Sequence, residues 1–250
     1  NQDGVRPAKI IIQLFANGEA VTGTTLEVSS NGTNSWSWSF KDLPKYADGK
    51  EIEYTVEEIK VNGYTTSIEG NIIEGITIKN THIPETVEIN GSKTWDDANN
   101  QDGKRPTSIT IRLLADGKEV KNKTVKAGVD GKWNYSFTDL PKYAGGKEIV
   151  YTVTEDAVKD YSTVINGYDV TNSYTPDTVN VAGVKTWNDA DNQDGKRPAS
   201  ITINLLKNGT KIDSKTVTVA DNWSWNFEDL PRYEKGQEIT YTISEEAVAG

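Results

Sequence analysis

The 250-residue chain contains no cysteine, no methionine and a single histidine, His82. Without cysteine there can be no disulfide, no thiolate metal site and no cysteine nucleophile. One histidine leaves almost no room for imidazole metal ligation or Ser–His chemistry, so neither a metal nor a cofactor is expected. A chain without methionine does not start at a natural initiation site, so it reads as an internal or processed segment of something longer. No apolar run approaches the length of a membrane span and no signal peptide opens the chain, which argues against membrane insertion. Positive charge is scarce as well: 27 Lys and Arg face 37 Asp and Glu, a formal net charge of −10. Nucleic acids and anionic membranes both want basic patches and are therefore poor partner candidates.

Hydrophobic residues make up 35% of the chain, with seven Trp and eleven Tyr, enough apolar mass for modest cores. Self-comparison decides how they are organised. The loop N-Q-D-G-x-R-P occurs at Asn1–Pro7, Asn100–Pro106 and Asn192–Pro198. An alternating strand follows each copy and ends in Asn17-Gly18, Asp116-Gly117 or Asn208-Gly209, the dipeptides that suit a tight hairpin. Next come W-x-[WY]-x-F-x-D-L-P-x-Y, at Trp36–Tyr46, Trp133–Tyr143 and Trp223–Tyr233, and the strand Y-T-[VI]-x-E, at Tyr54–Glu58, Tyr151–Glu155 and Tyr241–Glu245. Lys93 to Lys185 and Asn80 to Asn172 both span 92 residues, the size of an immunoglobulin-like domain. Dense short strands and turns with no convincing amphipathic helix predict all-β sandwiches in tandem. The expected domains are residues 1–83, lacking a first strand; 84–175, complete; and 176–250, lacking a last strand. The short links around Pro84 and Pro176 should be semi-rigid, and the outer repeats should expose sheet edges.

Three side chains fall on apolar strand faces where they do not belong. Lys93 is in phase with Val87, Ile89, Gly91 and Trp95; Glu155 with Tyr151 and Val153; Asn172 with Tyr168, Val170 and Tyr174. Alternate residues of a strand share a face, so an amine, a carboxyl group and a carboxamide all point inward. Each position recurs wherever its strand is present: Glu58 and Asn80 in the first repeat, Lys185 and Glu245 in the third. Desolvation frees a lysine amine and favours a neutral carboxylic acid. Glu155 could then polarise the Asn172 carbonyl while Lys93 attacks it, giving an amide with loss of ammonia. The plainer alternative is a buried Lys93–Glu155 ion pair with Asn172 as a hydrogen-bonding bystander.

Other features read as structural. The loops Asp96–Gly103 and Asn188–Gly195 have the oxygen density of a cation site but lack the distal bidentate Glu, so a solvated turn is the better reading. D-L-P-x-Y reads as a turn anchored by its Tyr. Trp95, Trp187 and the W-x-[WY]-x-F set alternate as core residues do rather than forming a carbohydrate platform. The sequons at Asn31, Asn122, Asn134, Asn208 and Asn222 read as chance polar sequence.

The strings K-T-W-x-D-A-x-N-Q-D-G-K-R-P, L-P-x-Y-x-x-G-x-E-I-x-Y-T-[VI]-x-E and V-T-N-S-Y resemble the Cna B-type repeat of collagen adhesins, other surface proteins and pilins of Gram-positive bacteria. The resemblance covers essentially the whole chain. It implies a prealbumin-like (inverse immunoglobulin-like) sandwich, and a Lys–Asn isopeptide bond between first and last strands promoted by an acidic residue. By position these are Lys93, Asn172 and Glu155, with Glu58, Asn80, Lys185 and Glu245 as members of sets whose partners are missing. The expected function is a monomeric, non-enzymatic stalk or spacer of a cell-wall-attached extracellular adhesin. Its partners would be neighbouring repeats, with any host extracellular-matrix ligand held by another domain. The alternative is an adhesive module that grips a host protein or glycan through loops or exposed aromatics.

Overall fold

The computed structural model describes residues 1–248, so the last two residues of the third expected domain lie outside the described residues. Two compact units are present: Asn1–Ile89 with Phe137–Val150, and Asn90–Ser136 with residues 151–248. The only helix among the described residues is a single 3-10 turn, Val219–Asp221; the rest is strand, turn and loop. None of it is a helix long and apolar enough to cross a membrane.

In the first unit, Lys9–Ala16 pairs antiparallel with Glu19–Ser29 on one side and Tyr54–Glu58 on the other, and Thr65–Asn71 with Gly75–Thr81 forms a hairpin. Ile12, Leu14, Val28 and Val56 point from the sheet into the core, where Ile76 and Ile78 of the hairpin and Trp36, Trp38 and Phe40 cover them. Alternate residues of each strand face inward, as a half-buried antiparallel sheet requires. The hairpin turn at Asn17-Gly18 has φ of 51° and 85°, and Asp116-Gly117 and Asn208-Gly209 behave alike. Asn, Asp and Gly tolerate this left-handed geometry, which fixes the register of the strands they join.

In the second unit, Ile109–Ala115 lies between Lys118–Val125 and Tyr151–Glu155, with Glu155 opposite Ile111. A mixed sheet carries, in order, residues 133–136, residues 90–96, Asp169–Ser173 and Ser162–Asn166. Its central pair is parallel, setting Val170 opposite Lys93 and Asn172 opposite Trp95. The third repeat has Ser200–Lys207 between Thr210–Thr218 and Tyr241–Glu245, and a pair Thr178–Val184 with Ser224–Pro231. Ile201, Ile203, Leu205, Val217 and Phe227 form its core. The architecture is the expected one, tandem prealbumin-like β-sandwiches.

Two local expectations change. The W-x-[WY]-x-F segment is a strand at Trp133–Pro141 and Ser224–Pro231, but Trp36–Phe40 is not. Sequence pattern is the same in all three; the difference is a neighbour, since only the later copies lie beside a strand that accepts their backbone hydrogen bonds. D-L-P-x-Y also takes an anchor from outside itself. The Pro44 and Pro231 carbonyls accept hydrogen bonds from Tyr54 and Tyr241, at 2.8 and 2.9 Å, so that anchor is the tyrosine of the following strand.

Candidate functional site

Lys93 and Asn172 reach the core from adjacent parallel strands of one sheet, and Glu155 from the facing sheet. The Lys93 and Glu155 side chains are both 0% exposed, with Nζ and Oε1 3.5 Å apart, and Asn172 is 0% exposed. Lys93 Nζ donates to the Thr94 carbonyl at 3.2 Å and lies 4.2 Å from the Trp95 ring centroid. Burial pushes the Lys93 amine down to about 8, against the opposing pull of Glu155 and Asp97. Glu155 Oε2 accepts a hydrogen bond from Thr163 Oγ1 at 3.0 Å. Oε1 has no hydrogen-bond partner, 3.5 Å being an ion-pair contact and too long for a well-formed hydrogen bond. Both polar atoms of the Asn172 carboxamide are also buried without a partner. A bystander asparagine is normally satisfied, because each buried orphan costs about 1–3 kcal/mol.

The outer repeats each hold a pair from the same set. In the first, Asn80 Nδ2 donates to Glu58 Oε1 at 2.8 Å, and Thr66 Oγ1 bridges Glu58 and Asn80 at 2.9 and 2.6 Å. A cleft of about 300 Å³ lined by Ile10, Trp36, Trp38 and Ile78 opens beside Asn80. In the third, Lys185 Nζ meets Glu245 Oε2 at 2.8 Å, with side chains 26% and 28% exposed.

Thr163 and Thr66 escaped the sequence reading. Each sits opposite the asparagine in the hairpin register, Thr163 with Asn172 and Thr66 with Asn80. The repeated Y-x-T at Tyr64–Thr66 and Tyr161–Thr163 was the signal that could have found them. Asp97 was missed too. It is 2% exposed, chelated by Arg105 at 3.0 and 2.6 Å, and accepts from Tyr161 OH at 2.9 Å. These partners hold its carboxyl below the usual range despite burial. Arg105 also lies 5.5 Å from the Trp95 ring that covers Lys93. The loop Asp96–Gly103 is therefore not a solvated turn: Asp97 and Asp102 are 2% and 9% exposed and committed to protein partners. Among the described residues no group of three or more His, Asp or Glu side chains is placed to hold a metal ion.

Taken together, the chain is a tandem array of all-β repeats, each built around one set of inward polar positions. It belongs to the Cna protein B-type domain family, which matches residues 1–81, 89–173 and 181–250. A collagen adhesin of Staphylococcus aureus is 46% identical over 254 residues, covering 99% of this chain and 21% of the adhesin. This chain thus spans about a fifth of that relative. The crystal structure of two B repeat units of the collagen binding protein of S. aureus superposes with a TM-score of 0.63 at 42% identity, covering 99% of this chain and 65% of that one. The relatives that show the family are thus a collagen adhesin and the B repeat units of a collagen binding protein.

Proposed function

We propose that this segment is a spacer in the stalk of a cell-wall-attached bacterial adhesin, and that its middle repeat is locked by an autocatalytic Lys93–Asn172 isopeptide bond. The carrying observation is the dry trio: a buried amine, a carboxylate 3.5 Å from it, and a carboxamide with both polar atoms unpartnered. Proton transfer from Lys93 to Glu155 leaves a neutral amine and a carboxylic acid. The amine lone pair attacks Asn172 Cγ while the acid hydrogen-bonds the carbonyl oxygen, giving a tetrahedral intermediate. Glu155 then gives its proton to the leaving nitrogen and takes one from the attacking Lys93 nitrogen; the C–N bond to the leaving group breaks, and the products are one secondary amide and one ammonia. An amine near 8 is neutral in about one molecule in ten at pH 7. Holding it in place beside an unactivated amide supplies the effective molarity the reaction needs.

The bond would join positions 93 and 172, 79 residues apart, from neighbouring strands of one sheet. Treated as a cross-link, it constrains the unfolded chain by roughly 4–5 kcal/mol. Load entering and leaving through those strands would pass along covalent bonds instead of shearing the sheet, and no reductant would release it. The chemistry occurs once and on itself, so this is not an enzyme. The reading places the segment outside the cell as a monomeric array, with neighbouring repeats as partners and any matrix ligand held by another domain.

Intact-mass spectrometry tests it. The chain should weigh one ammonia less than its sequence, and Lys93→Ala should show its full mass. A full mass for the unaltered, folded chain would leave the trio as an ion pair with a bystander and remove the locked-stalk reading.

A further inference from the structure

The N-Q-D-G loop occurs three times, and at two of its copies the same four hydrogen bonds surround the start of the following repeat. Two run from that repeat's backbone to the loop, one to the loop from a side chain just after the last strand of its own repeat, and one lies within the following repeat. In the first unit, Asp3 Oδ2 accepts hydrogen bonds from the Glu85 amide at 2.7 Å and from His82 Nε2 at 2.9 Å. The Gln2 carbonyl accepts from the Gly146 amide at 2.9 Å, and the Lys142 amide donates to the Glu85 carbonyl at 3.0 Å. Within the second unit, Asp102 Oδ2 accepts from the Asp177 amide at 2.8 Å and from Tyr174 OH at 2.9 Å. The Gln101 carbonyl accepts from the Gly236 amide at 2.9 Å, and the Arg232 amide donates to the Asp177 carbonyl at 3.0 Å.

Two glycines meet backbone to backbone at each joint. A Cβ on Gly4 would lie 2.5 Å from Gly146 Cα, and one on Gly103 would lie 2.6 Å from Gly236 Cα. All four glycines have φ between 69° and 78°, so neither partner tolerates a side chain. The joint explains why the loop carries Asp and Gly at fixed spacing, which a solvated turn would not require.

The third copy has the same sequence and no occupant. Asp194 is exposed, where Asp3 and Asp102 are each 9% exposed. A Cβ on Gly195 meets nothing within 4 Å, although its φ of 64° matches Gly4 and Gly103. The complementary half is also open. Gly49 stands where Gly146 and Gly236 stand in the later repeats, has φ of 74°, and likewise meets nothing.

We propose that the N-Q-D-G loop is a repeat-to-repeat socket, and that residues 192–195 are the unfilled socket for the leading strand and glycine turn of another B-type repeat. The Asp194 carboxylate takes the backbone amide that opens the incoming strand, together with a Tyr or His donor from the last strand of its own repeat. The Gln193 carbonyl takes the amide of the incoming turn glycine, packed on Gly195. Gly49 presents the same turn to a preceding socket. Loop and turn are different surfaces, so the contact is heterologous and can be repeated along a chain without closing on itself. The inference deepens the spacer reading and rests on it for the identity of the partner.

The test is a chain in which residues 159–248 are repeated directly after Val248, which supplies the incoming strand and turn. Amide hydrogen exchange is read at the repeated Asp177 and Gly236 positions, with protection across Ser200–Lys207 as the control that the third repeat is folded. The repeated Asp177 and Gly236 amides should be as protected as Asp177 and Gly236 in their first positions. Asp194→Ala should speed exchange at the repeated Asp177 about tenfold or more, and Gly195→Val should do the same at the repeated Gly236. Fast exchange at both amides in the extended chain, or protection that neither substitution alters while Ser200–Lys207 stays protected, would overturn the socket. Neither outcome touches the mass deficit that tests the locked stalk.

Discussion

The middle and third repeats hold the same lysine–glutamate pair in two settings. Lys185 and Glu245 are the closer, at 2.8 Å, and about a quarter exposed; Lys93 and Glu155 are 3.5 Å apart and wholly buried. Two of the coverings differ. In the middle repeat the strand Asp169–Ser173, carrying Asn172, closes one side of the core and Tyr161 closes another; no counterpart of either stands beside Lys185 among the described residues. Proximity alone therefore makes an ordinary partly exposed ion pair, of the kind worth at most about 1 kcal/mol. Removing water is what pushes the Lys93 amine down to about 8 and leaves the Asn172 carboxamide without partners. The strand that carries Asn172 is also the strand that dries Lys93, so on the proposed locked-stalk reading reactivity would be tied to completion of the fold.

The largest way to break this contrast is Glu155→Gln, which keeps shape and removes the proton acceptor. The variant should show its full mass although Lys93 and Asn172 are both present. Losing the cross-link should lower the melting temperature of the middle repeat by on the order of 20–30 °C, from roughly 4–5 kcal/mol. The same substitution at Glu245 should leave the one-ammonia deficit relative to its own sequence in place and shift melting by a few degrees at most. A Glu155→Gln chain that still loses ammonia would show that burial and geometry suffice without the acid.

The second ion pair repeats the lesson. Asp97–Arg105 and Asp189–Arg197 have the same contacts, at 2.6 Å for the shorter, but the Asp97 side chain is 1% exposed and Asp189 30%. Arg105→Ala would strand a buried carboxylate and cost about 3–5 kcal/mol; Arg197→Ala should cost about 1 kcal/mol or less. Urea titration of each variant separates them, and equal costs would mean that burial is not what distinguishes the repeats.

A pH series is the next smaller effect. In Asn172→Ala no bond can form and Lys93 stays titratable. Its folded value, about 8, is below its unfolded value, so between about 8 and 10.5 the unfolded chain binds more protons and stability rises with pH. The gain should approach about 3 kcal/mol. The unaltered chain, whose Lys93 would be an amide nitrogen, should lack that rise. Matching pH profiles would mean that Lys93 titrates in both.

Much of this was legible in the sequence, for reasons that also mark its limit. Period-2 alternation put Lys93, Glu155 and Asn172 on inward faces because pleating fixes side-chain direction wherever a strand forms, and Asn17-Gly18 marked a hairpin because few residues accept its turn. The nonstrand course of Trp36–Phe40 was not legible, since strand formation there depends on a neighbouring backbone and not on its own residues. Nor was the burial of Asp97 and Asp102. Polar residues in a loop read as solvated until Arg105, Tyr161 and Tyr174 are seen to converge on them.

The finest comparison is between the two filled sockets, which differ in one donor. His82 meets Asp3 at 2.9 Å where Tyr174 meets Asp102 at 2.9 Å. The His82 imidazole is raised above its ordinary value, first by the hydrogen bond to Asp3 and then by the Gly63 carbonyl. The groups that face it are Asp3, the Glu85 carboxylate and the Tyr64 ring at 5.4 Å. A histidine raised on folding contributes in full below its unfolded value, about 6.5, and loses that contribution as pH rises through the folded value. Asp3 is lowered, chiefly by the Glu85 amide, so its own contribution is lost only in acid, as pH falls through that depressed value. Tyr174 is raised, chiefly by burial, and remains a neutral donor through neutrality. The first joint should therefore loosen as pH rises above about 6.5, and the second should not. Exchange at the Glu85 amide, corrected for intrinsic base catalysis, should quicken severalfold over that window while Asp177 stays constant. His82→Tyr should abolish the difference. Equal pH dependence at both joints in the unaltered chain would show that the imidazole carries no share of the grip, leaving the backbone amides and the paired glycines to hold it alone.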